Sequence, residues 1–161
     1  MKKNVLLGAT SSLIVCFTLM FFVYPWLLST SVFDFIRPTD MLFDDWVIMF
    51  RDNGVLGTVF SLACYFVWLL LSDERMVNPL LLWTILLVSS FLSSTIPAYR
   101  FQSYPASLQP LQLIIVALIY VVNNTFFMYW LTTLLASPAS VIYKVPLSQC
   151  FRDFLDGRSS K

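Results

Sequence analysis

Histidine is absent from the chain, which removes the commonest general base and the commonest metal ligand together. Charge is scarce. Asp, Glu, Lys and Arg make up 12% of the 161 residues, about half of what a water-soluble domain carries. Glycine occurs only four times, and no glycine-rich phosphate loop is spelled. The three cysteines, Cys16, Cys64 and Cys150, show no C-x-x-C spacing; they offer neither a metal site nor a redox pair and read as small buried hydrophobes. The charges nearly cancel, at a net +1, and no basic patch with interleaved aromatics appears, so nucleic-acid binding is not expected. Nothing in this inventory calls for a cofactor.

What the chain has in abundance is apolar sequence. It is 58% hydrophobic with a mean hydropathy of +0.78, which places it in a membrane as one compact bundle. The run over 111–135 carries no charge and is long enough to cross a hydrocarbon layer of about 30 Å with some tilt. Asn123 and Asn124 sit near its middle, and the other apolar runs read as its packing partners.

The first of those runs, over 5–28, follows Lys2 and Lys3. It is longer than the ~7–15-residue apolar core of a signal peptide and ends at Pro25-Trp26, so it reads as a membrane helix. Gly8, Ser12 and Cys16 recur every four residues and give it one face small enough for close helix contact. The connection that follows holds five aspartates against two arginines. Within it, 40–53 reads as a short amphipathic helix: Leu42, Phe43, Trp46, Val47 and Phe50 share a face, Asp44 and Asp45 stand early, and Gly54 follows. Such a helix is expected to lie on the membrane surface or fold over the bundle.

A second span is expected over 54–71, with Gly57 and Ser61 as a small pair four apart, and a third over 79–96, opened by Pro79. The third ends in a hydroxyl-rich stretch, Ser89, Ser90, Ser93, Ser94 and Thr95, able to bond its own backbone or a neighbouring helix. A proline-rich loop leads to the fourth span. Near the other end of the chain, Leu147, Cys150, Phe151, Phe154 and Leu155 line one face of a second amphipathic helix over 146–156. The expected fold is therefore an all-α membrane protein: a four-helix transmembrane bundle, single-domain over 1–161, with two short amphipathic interfacial helices.

With four spans both termini share a side. Lys2, Lys3, Arg75, Lys144, Arg152, Arg158 and Lys161 lie on it, against Arg37, Arg51 and Arg100 on the other, which puts the termini in the cytoplasm and the acidic connection outside.

Every charged residue falls outside the four expected spans, which weighs against an ion pump or proton-coupled transporter. Asp40, Asp44 and Asp45 are spaced like part of a cation cluster, but a solvated helix face explains them, and the serines have no base to activate them, so no enzyme activity is expected. Asn123 and Asn124 are the intramembrane polar candidates. They either hydrogen-bond across to the third helix's serines or to the first or second helix, or they grip a partner's transmembrane helix. Trp46 and Phe50, on the outer connection, are the other candidate partner-binding residues.

In layout, with Lys2-Lys3 followed by four compact spans and short loops, the chain resembles small bacterial inner-membrane proteins encoded by prophages or plasmids, which exclude superinfecting phage or incoming DNA or confer immunity to pore-forming toxins. The resemblance lies in the overall build and assigns no residue a role. It implies a protein that occupies a surface of another membrane machine, with membrane lipids and a membrane protein as its partners. An accessory subunit of a transport, secretion or envelope-assembly complex has the same physical features.

Overall fold

The structure, a computed structural model, describes residues 2–30, 35–38, 41–71, 78–99, 108–137 and 145–148. Four helices dominate them, with no strand among the described residues. Helix α1 runs unbroken through Lys2–Thr18, Leu19–Val23 and Tyr24–Leu28; α2 is Phe43–Leu71; α3 is Pro79–Tyr99; α4 runs through Pro110–Tyr120, Val121–Leu131 and Thr132–Ala136. All four are long and apolar enough to cross a membrane. The chain is a multi-pass, all-helical membrane protein.

Two of the helices contain π segments. In α1, Leu19–Val23 is π-helical and the Tyr24 N–H donates to Leu19 O. Pro25 supplies the reason: it has no N–H to give to Phe21 O and its ring crowds that carbonyl, so the preceding turn widens. In α4 the whole stretch Val121–Leu131 is π-helical.

Helix α2 corrects the expected boundary between 40–53 and 54–71. It is one element of 29 residues, roughly 43 Å long. Gly54, taken as a stop signal, lies in its middle. A methyl group there would run into the Met20 thioether and come within 3.2 Å of the Tyr120 ring. The glycine marks a helix–helix contact, not a terminus. The predicted apolar face is real: Trp46 and Phe50 are buried on it. It stands in line with the span instead of lying flat on the membrane.

Helix α3 reaches past the expected end at 96 to Tyr99, with Pro97 inside its last turn. Its start is capped by Asn78, whose Oδ1 accepts from the Leu81 N–H at 3.1 Å. Helix α4 opens with a capping box between Gln109 and Gln112. The expected helix over 146–156 falls mostly outside the described residues. Within them, 145–147 form a turn with Leu147 at φ 66°, a left-handed conformation, and Ser148 is helical.

Helix α4 touches all three others, and α2 packs most extensively on α3. Hydrogen bonds fix the ends. Trp68 Nε1 donates to Ser137 Oγ at 2.9 Å and Trp83 Nε1 to Thr133 Oγ1 at 3.2 Å, so α2 ends and α3 begins beside the end of α4. The first part of α1 packs there too. We call this the near end. At the far end, Tyr120 OH donates to Phe50 O at 2.7 Å and Gln112 Nε2 to Phe35 O at 2.5 Å. The helices therefore run alternately up and down.

Two apolar clusters fill the two ends. The near cluster centres on Tyr65, Trp68, Trp83 and Tyr129, the far one on Met20, Trp46, Phe50, Leu113 and Tyr120. From Leu71 at the near end, a hydrocarbon layer of about 30 Å is used up by Asp52 and Arg51. Arg51 leans over the Phe21 ring, 5.2 Å from its centroid, and its Nε is 3.3 Å from Asp52 Oδ1.

Candidate functional site: a polar layer between two aromatic clusters

Between the two clusters the interior changes character. Asn123, Asn124 and Thr125 on α4 meet Thr58 and Ser61 on α2 and Ser90 and Ser94 on α3, all buried. In lipid a buried polar group with no partner costs several kcal/mol, so these side chains must find one another.

One half of the layer is built on the asparagines. Asn123 Nδ2 donates to Asn124 Oδ1 at 2.8 Å and to Thr58 Oγ1 at 3.3 Å. Thr58 Oγ1 lies 2.6 Å from Asn124 Oδ1 and 3.0 Å from Gly54 O, so its single hydrogen serves one or the other. Cys16 Sγ on α1 contacts Asn123 O at 3.4 Å. All three neighbouring helices thus meet α4 in this layer. Asn123 Oδ1 and Asn124 Nδ2 have no hydrogen-bond partner among the described residues.

The other half is built from hydroxyls. Ser61 Oγ and Ser90 Oγ are 2.6 Å apart, and Thr125 Oγ1 lies 3.4 Å from Ser90 Oγ and 3.3 Å from Ser94 Oγ. Ser94 Oγ also donates back to Ser90 O at 2.7 Å. Of the five hydroxyl residues at the end of α3, Ser90 and Ser94 reach across to other helices. Ser89, Ser93 and Thr95 bond their own helix backbone.

Adjacent residues on an α-helix point about 100° apart, so three consecutive inward-facing side chains are not expected. The π geometry resolves this. Its i→i+5 bonding narrows the angle between successive side chains, and α4 has neighbours on several sides, so Asn123 and Asn124 meet Thr58 on α2 while Thr125 meets Ser90 and Ser94 on α3. Tyrosines fasten both ends of the segment: Tyr120 OH to Phe50 O, and Tyr129 OH to Trp83 O at 3.0 Å.

Glycine makes the room. A methyl group on Gly57 would overlap the Asn124 carboxamide nitrogen and sit 3.5 Å from Ser93 O. Asn124 therefore fits only because position 57 has no side chain. The small pair Gly57 and Ser61 marks the close approach read from the sequence. On α1, Ser12 and Cys16 are likewise buried.

The four residues proposed as partner-binding are placed differently from that expectation. Trp46, Phe50, Asn123 and Asn124 are each 0% exposed. Trp46 and Phe50 belong to the far cluster, with ring centroids 5.9 Å apart, and the Phe50 ring lies tilted against Tyr120 with centroids 5.0 Å apart. In this bundle they hold the protein's own helices together and present no surface to another chain. The asparagines bond to the second helix, one of the options left open, and not to the serines of the third. Asp44 and Asp45 are exposed, Asp40 lies outside the described residues, and no cluster fit for a metal ion occurs among the described residues.

Thr58, Thr125 and Gly54 were missed from sequence. No spacing of residue types marked them: the buried row Val116, Tyr120, Asn124, Met128, Thr133 and Ser137, at intervals of four or five, mixes apolar and polar residues and shows only in the structure. No protein-family model, curated protein or solved structure matches the chain.

Proposed function

We propose that this protein works within the bacterial inner membrane by binding and obstructing another membrane machine, as superinfection exclusion or toxin immunity requires. The carrying observation is how the side chains are sorted. The amides and hydroxyls of the polar layer turn inward and bond largely to one another. Large apolar side chains such as Phe22, Leu70, Leu81, Ile96 and Leu111 face outward. What such a molecule offers other proteins is the shape of its lipid-facing surface. The reading places the near end, with Lys2 and Lys3, in the cytoplasm.

Expression in a sensitive strain, followed by challenge with phages, conjugating donors and pore-forming colicins, tests the proposal. Protection against one class is the expected result, and unchanged susceptibility to all of them counts against it. Alkaline phosphatase and β-galactosidase fusions at the two termini test the orientation.

One observation favours the second reading, an accessory subunit of a transport, secretion or envelope-assembly complex. At the far end, Leu42 just ahead of α2 is 75% exposed, with Trp26 and Phe35 also uncovered. Apolar surface at that level suits a permanent neighbour. In-membrane crosslinking with mass spectrometry separates the two, since only the subunit reading predicts a stoichiometric host complex.

A further inference from the structure

The lipid-facing surface is not uniformly convex. Between α2 and α3 lies a groove of about 440 Å³, lined by Leu56 and Phe60 on one side and Ser89, Leu92, Ser93 and Ile96 on the other, with Pro97 at its far end. Its hydroxyls ask nothing of an occupant: Ser89 Oγ donates to Ile85 O at 2.9 Å and Ser93 Oγ to Ser90 O at 2.8 Å. The walls are apolar in effect. Behind them, the Asn124 carboxamide reaches the α2–α3 seam at Gly57 and Ser93.

Charge lies in register above the groove. Asp52 is one turn beyond Leu56 on the same face of α2, and Asp45, seven residues further along, lies on that face too. Both are exposed, and the Asp52 side chain keeps 65% of its surface free although Arg51 stands beside it. Arg51 Nε donates to Asp52 Oδ1 at 3.3 Å in an exposed pair, while its guanidinium carbon also lies over Phe21 on α1. A helix lying in the groove parallel to α2 would leave the hydrocarbon beside these two carboxylates.

We propose that the α2–α3 groove receives a transmembrane helix of the obstructed machine, one with small or apolar residues along its contact ridge and Lys or Arg where it emerges at the far end. This rests on the obstruction reading and names the surface that performs it. Apolar shape sets the fit within the lipid, where hydrophobic attraction between helices is lacking and van der Waals packing must serve. Opposite charge at the boundary selects the partner and its direction.

The test uses the full chain in nanodiscs and designed Leu/Ala transmembrane peptides with a Gly-x-x-x-Gly ridge, carrying either two lysines or two glutamates at the far-end flank. Binding is read by energy transfer between labels. The lysine peptide is expected to bind about tenfold more tightly than the glutamate peptide. The double change Asp45→Lys, Asp52→Lys should invert that preference. Ser89→Leu with Ser93→Leu, which fills the groove, should abolish binding of both peptides while circular dichroism still reports a folded helical protein.

Equal binding of the two peptides, or undiminished binding to the filled groove, overturns the proposal. So does spontaneous crosslinking of Phe60→Cys between copies without peptide, which would make the groove a self-contact. A co-purifying lipid that no peptide displaces also overturns it. The challenge assay keeps the two claims apart. If wild-type protein protects cells but the filled groove protects equally, the groove assignment falls and obstruction stands. If wild-type protein protects against nothing, obstruction itself falls.

Discussion

The far-end aromatic cluster and the polar layer beneath it hold the same helices by different means. In the cluster, Trp46, Phe50 and Tyr120 interlock by shape, and the Tyr120 hydroxyl finds the Phe50 carbonyl. In the layer, contact is made by short side chains and depends on which donor faces which acceptor. A packed aromatic contributes through its many contacts, whereas a membrane hydrogen bond contributes little because the alternatives also find partners. The cluster should therefore supply more of the stability, and the layer more of the register. Substitutions in the two regions should differ in kind as well as in size.

The largest expected effect is at Phe50. Its truncation to alanine should cost about 3–5 kcal/mol, read from unfolding in mixed detergent or bicelles, because the cavity cannot refill among rigid rings. A loss comparable to that of an exposed residue such as Phe66→Ala would break the comparison.

Next comes Gly57→Leu. The added side chain must displace Asn124, for a cost of about 1–3 kcal/mol. The displacement should register as disrupted crosslinking between α2 and α4 cysteine pairs. Wild-type crosslinking in a folded G57L protein would mean that Asn124 does not sit against position 57.

The layer itself should respond more weakly. Asn124→Leu and Thr58→Val should each cost about 0.6–2 kcal/mol, with a double-mutant coupling of similar size. Additive costs would show that the two side chains act independently and that the layer's register role is misassigned.

The smallest effect is expected at Ser94→Ala. Its contact with Thr125 is long at 3.3 Å, and its main bond is to its own helix at Ser90 O. A loss of about 0.5 kcal/mol or less is expected from thermal unfolding. A larger loss would move weight from the cluster to the layer and narrow the contrast between them.

Much of the fold was legible. The charge-free runs locate all four helices, and Pro79 marks the start of α3 because its missing N–H is harmless there. Asn123 and Asn124 stand out as polar groups in the middle of a span. Gly54 misleads, because a glycine after an amphipathic segment reads as a helix end, and only the approach of Met20 and Tyr120 reveals the other reason for lacking a side chain. Trp46 and Phe50 read as partner-binding residues for a related cause. An apolar face looks unpartnered until α1 and α4 are seen to cover it.

By itself the sequence determined that the bilayer is this protein's solvent and that it is crossed four times, because a run of apolar residues has no other way to satisfy its backbone and hide its side chains. Only the tertiary structure decided which polar groups meet. That choice depends on the widened turns of α4, which bring three successive side chains against α2 and α3, and on the bare Cα of Gly57 lying opposite one of them. Neither follows from the order of residues in one segment, since each is set by what another segment brings alongside.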